Sequence, residues 1–251
     1  LMKDIQPICF TLSNGVRLVY LYKSSQVSHL GFTFLAGSKF EEENTEGLAH
    51  FLEHCVFKGT SKRKALQVLS RLDDVGGELN AFTAKEEICL HASFTKQYTA
   101  RAIDLLSDIA LNSVFPENEL LKEKEVILDE LNSYLDSPSD KIFDDFEAYL
   151  FKHHPLGNNI LGTKESVGSF NHSDLKNFVD TYFTADNLVV SFVGNVTFKR
   201  LEAMLEKKLA PISKTAKRDP IHLFSKYSSF KIRTKEANYQ AHAILGGIAP
   251  S

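Results

Sequence analysis

The chain has 251 residues, a formal net charge of -3, and 43% hydrophobic and 24% charged residues. That is enough for one large domain or two small ones with a sizeable core, and the near-neutral balance gives no footprint for a polyanion partner. No run approaches the roughly 18 apolar residues needed to cross a bilayer, and three widely spaced cysteines, Cys9, Cys55 and Cys89, exclude a complete disulfide framework and a CxxC zinc site.

Neither nucleic acid nor membrane is therefore expected as a partner. The cysteine usage fits a reducing compartment. Leu1-Met2-Lys3-Asp4 has no apolar run, so no signal peptide is expected in the chain as it stands.

The first elements read as strands. Ile8 to Leu12 and Val16 to Leu21 flank Ser13-Asn14-Gly15, and Asn-Gly between two β-rich runs is a strong hairpin signal. Val27 to Leu35 is a third strand. The acidic block Glu41-Glu42-Glu43 reads as solvated loop or helix start. Leu48, Phe51, Leu52, Cys55 and Val56 then recur at helical spacing. Ser61 to Val75 is amphipathic and ends at Gly76-Gly77. Leu79 to Phe94 reads as two strands or one bent hairpin.

Helices are expected at Thr99 to Leu111, Asn118 to Leu135, Asp140 to Leu150, His172 to Tyr182 and Phe198 to Leu209. Leu188 to Val193, apolar except for Ser191, is a strand. Ala210 to Ser229, with two prolines and scattered Lys and Ser, reads as a linker. Ala241 to Ile248 reads as a new apolar strand.

The chemistry concentrates in His50-Phe51-Leu52-Glu53-His54. On a helix, residues three and four apart share a face, so both imidazoles and the carboxylate point one way. Two imidazoles so placed can hold one zinc ion at about 2.0–2.1 Å per bond. Glu53 then stands beside the metal without ligating it, the position of a general base toward a metal-bound water. The order H-x-x-E-H marks the inverzincins.

A catalytic zinc needs a third protein ligand and an open position. The helix at Asn118 to Leu135 offers Glu123 and Glu130, two turns apart on one face. One could ligate while the other orients a ligand. Spacing alone does not choose between them, nor does it exclude Glu119 and Glu125.

Beyond the pentad, a series of short motifs resembles the pitrilysin-like peptidases, and within them the mitochondrial processing peptidase β subunits and their bacterial relatives. Gly47 to His54 with Phe57-Lys58-Gly59-Thr60 is similar to that family's zinc helix. Gly76 to Thr83 is similar to its substrate-side strand, and Glu125 to Leu131 to its third-ligand helix. Pro155-Leu156-Gly157 through Gly162-Thr163, Tyr182 with Asp186-Asn187, and Val193-Gly194-Asn195 extend the likeness over nearly the whole chain.

The resemblance implies an α+β fold: a mixed, mostly antiparallel sheet with helices packed on one face. It implies zinc on His50, His54 and Glu130, which lies 76 positions beyond His54. Glu53 would be the base, and Glu123, seven residues before Glu130, would support the ligands. Asn80, Ala81, Phe82 and Thr83 would bind an extended peptide at a sheet edge.

The activity implied is a zinc endopeptidase acting on peptides or unfolded segments, in a bacterial cytoplasm or mitochondrial matrix. In this family a second, zinc-free half closes the site. Residues 1–209 are therefore expected as the zinc-binding domain, 210–239 as a connection, and 240–251 as the first strand of a truncated second half. A partner half or second subunit, as in a dimer, is expected. The alternative is a non-catalytic or incomplete half that binds peptide or needs a partner for activity.

Three other features read as structural. Cys55 turns about 100° from the metal face and belongs to the core. His153-His154 precedes Pro155 in a loop. His91 is a packed or edge residue, and the 19 phenylalanines are core material.

Overall fold

A computed structural model describes residues 6–212, 229–235 and 239–247. Six strands form one sheet: β1 (Ile8–Thr11), β2 (Arg17–Tyr22), β3 (Val27–Phe34), β4 (Glu78–Thr83), β5 (Ile88–Thr95) and β6 (Leu188–Gly194). Eight α-helices accompany them among the described residues: α1 (Leu48–Cys55), α2 (Ala65–Asp73), α3 (Thr99–Asn112), α4 (Glu117–Leu135), α5 (Pro138–Leu150), α6 (Lys164–Ser169), α7 (His172–Tyr182) and α8 (Phe198–Leu209).

The strand order is β1-β2-β6-β3-β5-β4. Only β2 and β6 pair in parallel; the other four pairings are antiparallel. The sheet is thus mixed and mostly antiparallel. β6 sits inside it, which explains why its sequence is nearly continuous in apolar residues rather than alternating.

Alternation does appear on β3 and β5. Leu30, Phe32, Phe34, Ile88, Leu90 and Phe94 are buried on the helix side, together with Leu18, Val190 and Phe192. His29, Thr33, His91 and Ser93 stand on the other face and stay partly exposed. α3 packs on β3 and β5, α8 packs on α3, and α1 packs on β4 and α4. β4 ends the sheet among the described residues, so one row of its backbone groups has no strand beside it there.

The Asn14-Gly15 turn joins β1 and β2 as a hairpin. Two elements differ from expectation. α2 begins at Ala65 rather than Ser61, because the Thr60 hydroxyl accepts the amides of Lys62 and Arg63 and holds those residues in a turn. Residues 241–247 form no strand; a strand needs a neighbour to take its backbone hydrogen bonds, and none pairs there among the described residues. Most of the linker reading, residues 213–228, lies outside the described residues, as do 236–238 and 248–251. Among the described residues no helix is long and apolar enough to cross a membrane.

Candidate metal centre

α1 is short, and its first turn is set by Gly47, which adopts φ 94° as the N-cap. Only glycine takes that backbone shape cheaply. A side chain would also meet the neighbouring chain, since a Cβ on Gly47 would stand 2.7 Å from the Leu161 carbonyl oxygen. Beyond this turn, Leu48, Ala49, Phe51, Leu52 and Cys55 are buried in the core. The remaining face carries His50 and His54, whose rings lie 4.7 Å apart in an edge-to-face arrangement.

α4 brings the third group. Glu130 Oε2 lies 3.8 Å from His50 Nε2 and 3.6 Å from His54 Nε2. The three ligand atoms all fall within 4.8 Å of one another. Tetrahedral zinc with bonds near 2.0–2.1 Å holds its donors ~3.3 Å apart, so the two distances from Glu130 to the histidines are a few tenths of an ångström wider than in a closed site. Two imidazole nitrogens and a carboxylate oxygen are the donor set of a zinc site with one position left open. Side-chain exposure is 10% for His50, 22% for His54 and 45% for Glu130, so the cluster opens toward solvent on the Glu130 side.

The electrostatics favour metal-ready imidazoles. Burial, reinforced by the neighbouring His54, pushes the His50 pKa down to about 4. Its ring is therefore neutral at pH 7, the form that donates a lone pair. His54 is held differently. Its Nδ1 lies 3.2 Å from Glu123 Oε2, and Glu123 Oε1 in turn lies 2.5 Å from Lys58 Nζ. A carboxylate that accepts the Nδ1 proton leaves Nε2 free to face the cluster. His50 has no such helper among the described residues, where its Nδ1 is buried without a hydrogen-bond partner.

Glu53, half-buried on α1, is not among the three clustered ligand groups. The carboxylates that spacing left open separate here. Glu119 pairs with Lys122, Glu125 is exposed, Glu123 backs His54, and Glu130 joins the two histidines. Asn80, Ala81, Phe82 and Thr83 lie on the edge strand β4. Asn80 and Phe82 are exposed and Ala81 is buried. Thr83 Oγ1 stands 3.4 Å from the Ala49 carbonyl oxygen, which ties that strand to the metal-facing helix.

The other singled-out residues have structural roles. Cys55 is buried in the core, where burial pushes its thiol far up. His154 accepts the Leu156 amide at a turn, and His91 stands on β5 beside Phe82.

Two contributors were not visible in the sequence. Lys58 lies in a loop, and no spacing rule links it to Glu123. Glu41, expected to be solvated, is buried. Its Oε2 accepts the Gly47 amide at 2.9 Å and its Oε1 accepts the Ala49 amide at 2.8 Å. Free amides at a helix start draw a carboxylate inward, and local charge density cannot reveal that.

Fold and cluster together define a two-layer α/β domain with a His-His-Glu centre borne on two helices. A family model described as Insulinase (Peptidase family M16) matches residues 17–164, and a second, described as Peptidase M16 inactive domain, matches residues 169–251. The chain belongs to peptidase family M16. β6, which falls in the second match, lies between β2 and β3 of the first, so the two matches share one sheet.

Among relatives, the "uncharacterized zinc protease YmxG" of Bacillus subtilis is 35% identical over 241 residues, covering 94% of this chain and 58% of the relative. A "probable mitochondrial-processing peptidase subunit beta" of Arabidopsis thaliana is 34% identical, covering 81% and 38%. The crystal structure of a protease from Helicobacter pylori shares the fold at TM-score 0.80 and 23% identity, covering 85% of this chain and 52% of that one. The periplasmic protease PqqL of Escherichia coli does so at TM-score 0.81 and 22% identity, covering 90% and 26%. The chain thus spans about half the length of the curated relatives it matches.

Proposed function

We propose that this chain is the metal-binding half of a zinc metalloendopeptidase that hydrolyses extended peptides or unfolded segments. The observation that carries the reading is the convergence of His50 Nε2, His54 Nε2 and a Glu130 oxygen, with Glu53 on the same short helix. Zinc held there would polarise the scissile carbonyl and lower the pKa of a water beside it.

The chain's own residues supply the rest. Glu53 takes the proton of the attacking water and returns it to the leaving amine nitrogen. Glu123 holds the His54 ring in its ligating tautomer. The free edge of β4 pairs with the substrate backbone through Asn80, Ala81, Phe82 and Thr83, so many sequences are tolerated. Two free buried cysteines, one free exposed cysteine, and bacterial and mitochondrial relatives support a bacterial cytoplasm or mitochondrial matrix.

A second reading concerns completeness. The chain spans about half of its relatives, and one of its two family matches is to an inactive domain. Both facts favour a half whose turnover needs a partner half or second subunit. In this reading residues 1–209 form the metal-binding half, 210–239 the connection and 240–251 the beginning of the second half.

Glu53→Gln tests the activity. With a C-terminal half supplied, the variant is expected to keep its zinc and lose roughly 10²–10⁴-fold in turnover. Full activity, or loss of zinc with activity, contradicts the role given to Glu53.

A further inference from the structure

Glu41 does something that neither the ligands nor the base accounts for. Its carboxyl spans two amides at the start of α1, those of Gly47 and Ala49. Ala49 directly precedes His50. The turn that carries Glu41 is itself tied down. The amides of Ser38 and Lys39 donate to the carbonyls of Ala84 and Lys85 at 3.2 and 2.7 Å, just past the end of β4. Tyr182 Oη donates to the Phe40 carbonyl at 2.9 Å.

From the other side, a Cβ on Gly162 would overlap the Glu46 carbonyl, and Ser166 Oγ donates to that same carbonyl at 2.7 Å. The start of α1 is therefore gripped on both sides. The Glu41 side chain joins it to the turn that is held against the β4–β5 turn, and Thr83 adds a contact from the end of β4.

Stability alone does not explain such a group. Burial pushes the Glu41 pKa up to about 8, against the pull of the two amides; Glu46 raises it further and Lys85 lowers it. A carboxyl desolvated this far costs stability that an apolar or amide side chain would spare.

We propose that Glu41 is a positioning residue for the metal centre: its carboxyl fixes the first turn of α1 relative to the β4–β5 turn, and so sets the reach of His50 and His54 toward Glu130. The inference rests on the zinc reading given above. It goes beyond that reading by naming what holds the zinc helix in register with the substrate edge.

The test uses the full chain as wild type, Glu41→Gln, Glu41→Asp and, as a control, Leu201→Ala on the distant helix α8. Glutamine keeps the shape but turns an N–H donor toward one of the two amides. Aspartate keeps the carboxyl group but is one methylene too short to hold both. Zinc affinity is measured by chelator competition, cobalt-substituted protein by its visible d–d absorption, and folding by thermal melting.

Glu41→Gln is expected to melt cooperatively, bind zinc about tenfold more weakly and show an altered cobalt spectrum. Glu41→Asp is expected to fall between it and the wild type. Leu201→Ala is expected to lower the melting temperature and leave zinc affinity and cobalt spectrum unchanged. Wild-type affinity and spectrum in Glu41→Gln overturn the proposal. If Glu41→Gln does not melt cooperatively, Glu41→Asp carries the same comparison with the same criterion. A wild type that binds no zinc overturns the zinc reading first, and this inference with it.

Discussion

The two helices that build the centre are unlike each other. α1 has eight residues, six of them buried, and a start clamped by Glu41 and by close backbone contact with Leu161-Gly162. α4 has nineteen residues, of which Leu120, Glu123, Ile127 and Leu131 are buried, while Leu121, Val126 and Leu135 are exposed. His50 is buried and His54 partly buried on α1, whereas Glu130 stands on an open face. On the proposed reading, one helix would fix where a metal sits, and the other would bring a carboxylate that adjusts to it. Buried, close-packed elements resist displacement, while an exposed side chain keeps its rotamers.

That contrast can be broken by removing ligands one at a time. His54→Ala is expected to weaken zinc binding by more than roughly 100-fold, and Glu130→Ala by less, because the pair on α1 stays in place and water can fill the vacated position. Chelator competition measures both. Equal losses would mean that the two helices share the work evenly.

Glu123→Gln sharpens the contrast within α4, since Glu123 is its buried carboxylate. The amide cannot match a carboxylate as acceptor for His54 Nδ1, and it gives up the ion pair with Lys58. Zinc affinity is expected to fall by roughly 10–100-fold with the fold intact. An unchanged affinity would show that packing alone holds the His54 ring.

The smallest expected effect concerns pH. The folded pKa of Glu41 is raised to about 8 from an ordinary value of 4.5, so the folded state keeps this proton between those limits while the unfolded chain has lost it. The metal-free wild type should therefore lose stability from this group as pH rises from 6 to 8, by up to ~1.4 kcal/mol per pH unit. Glu41→Gln has no such proton to lose. The difference in melting temperature between the two should move in favour of the variant over that range. Parallel curves would mean that Glu41 titrates normally and that the grip on α1 costs nothing.

Much of this was legible in the sequence, for identifiable reasons. The bounds of α8, Phe198 to Leu209, follow from a clean helical period. The first hairpin follows from Asn14-Gly15, and the ligand face of α1 from the spacing of His50 and His54. These are local rules acting within one element. What stayed hidden depends on contacts between elements. Spacing left Glu119, Glu123, Glu125 and Glu130 open, and only the family resemblance singled out Glu130 and Glu123, because which carboxylate meets the histidines depends on how α4 packs on α1. The burial of Glu41 was missed because its neighbours Glu42 and Glu43 are solvated, and composition averages over all three. The short helix α6 has six residues, too few for a period to show.

The most direct test is the zinc content of the purified chain, measured by elemental mass spectrometry without added metal. The arrangement of His50, His54 and Glu130 predicts about one zinc per chain, lost in His54→Ala. No zinc in the wild type, even after supplementation, would contradict the central claim that this half assembles the metal centre by itself.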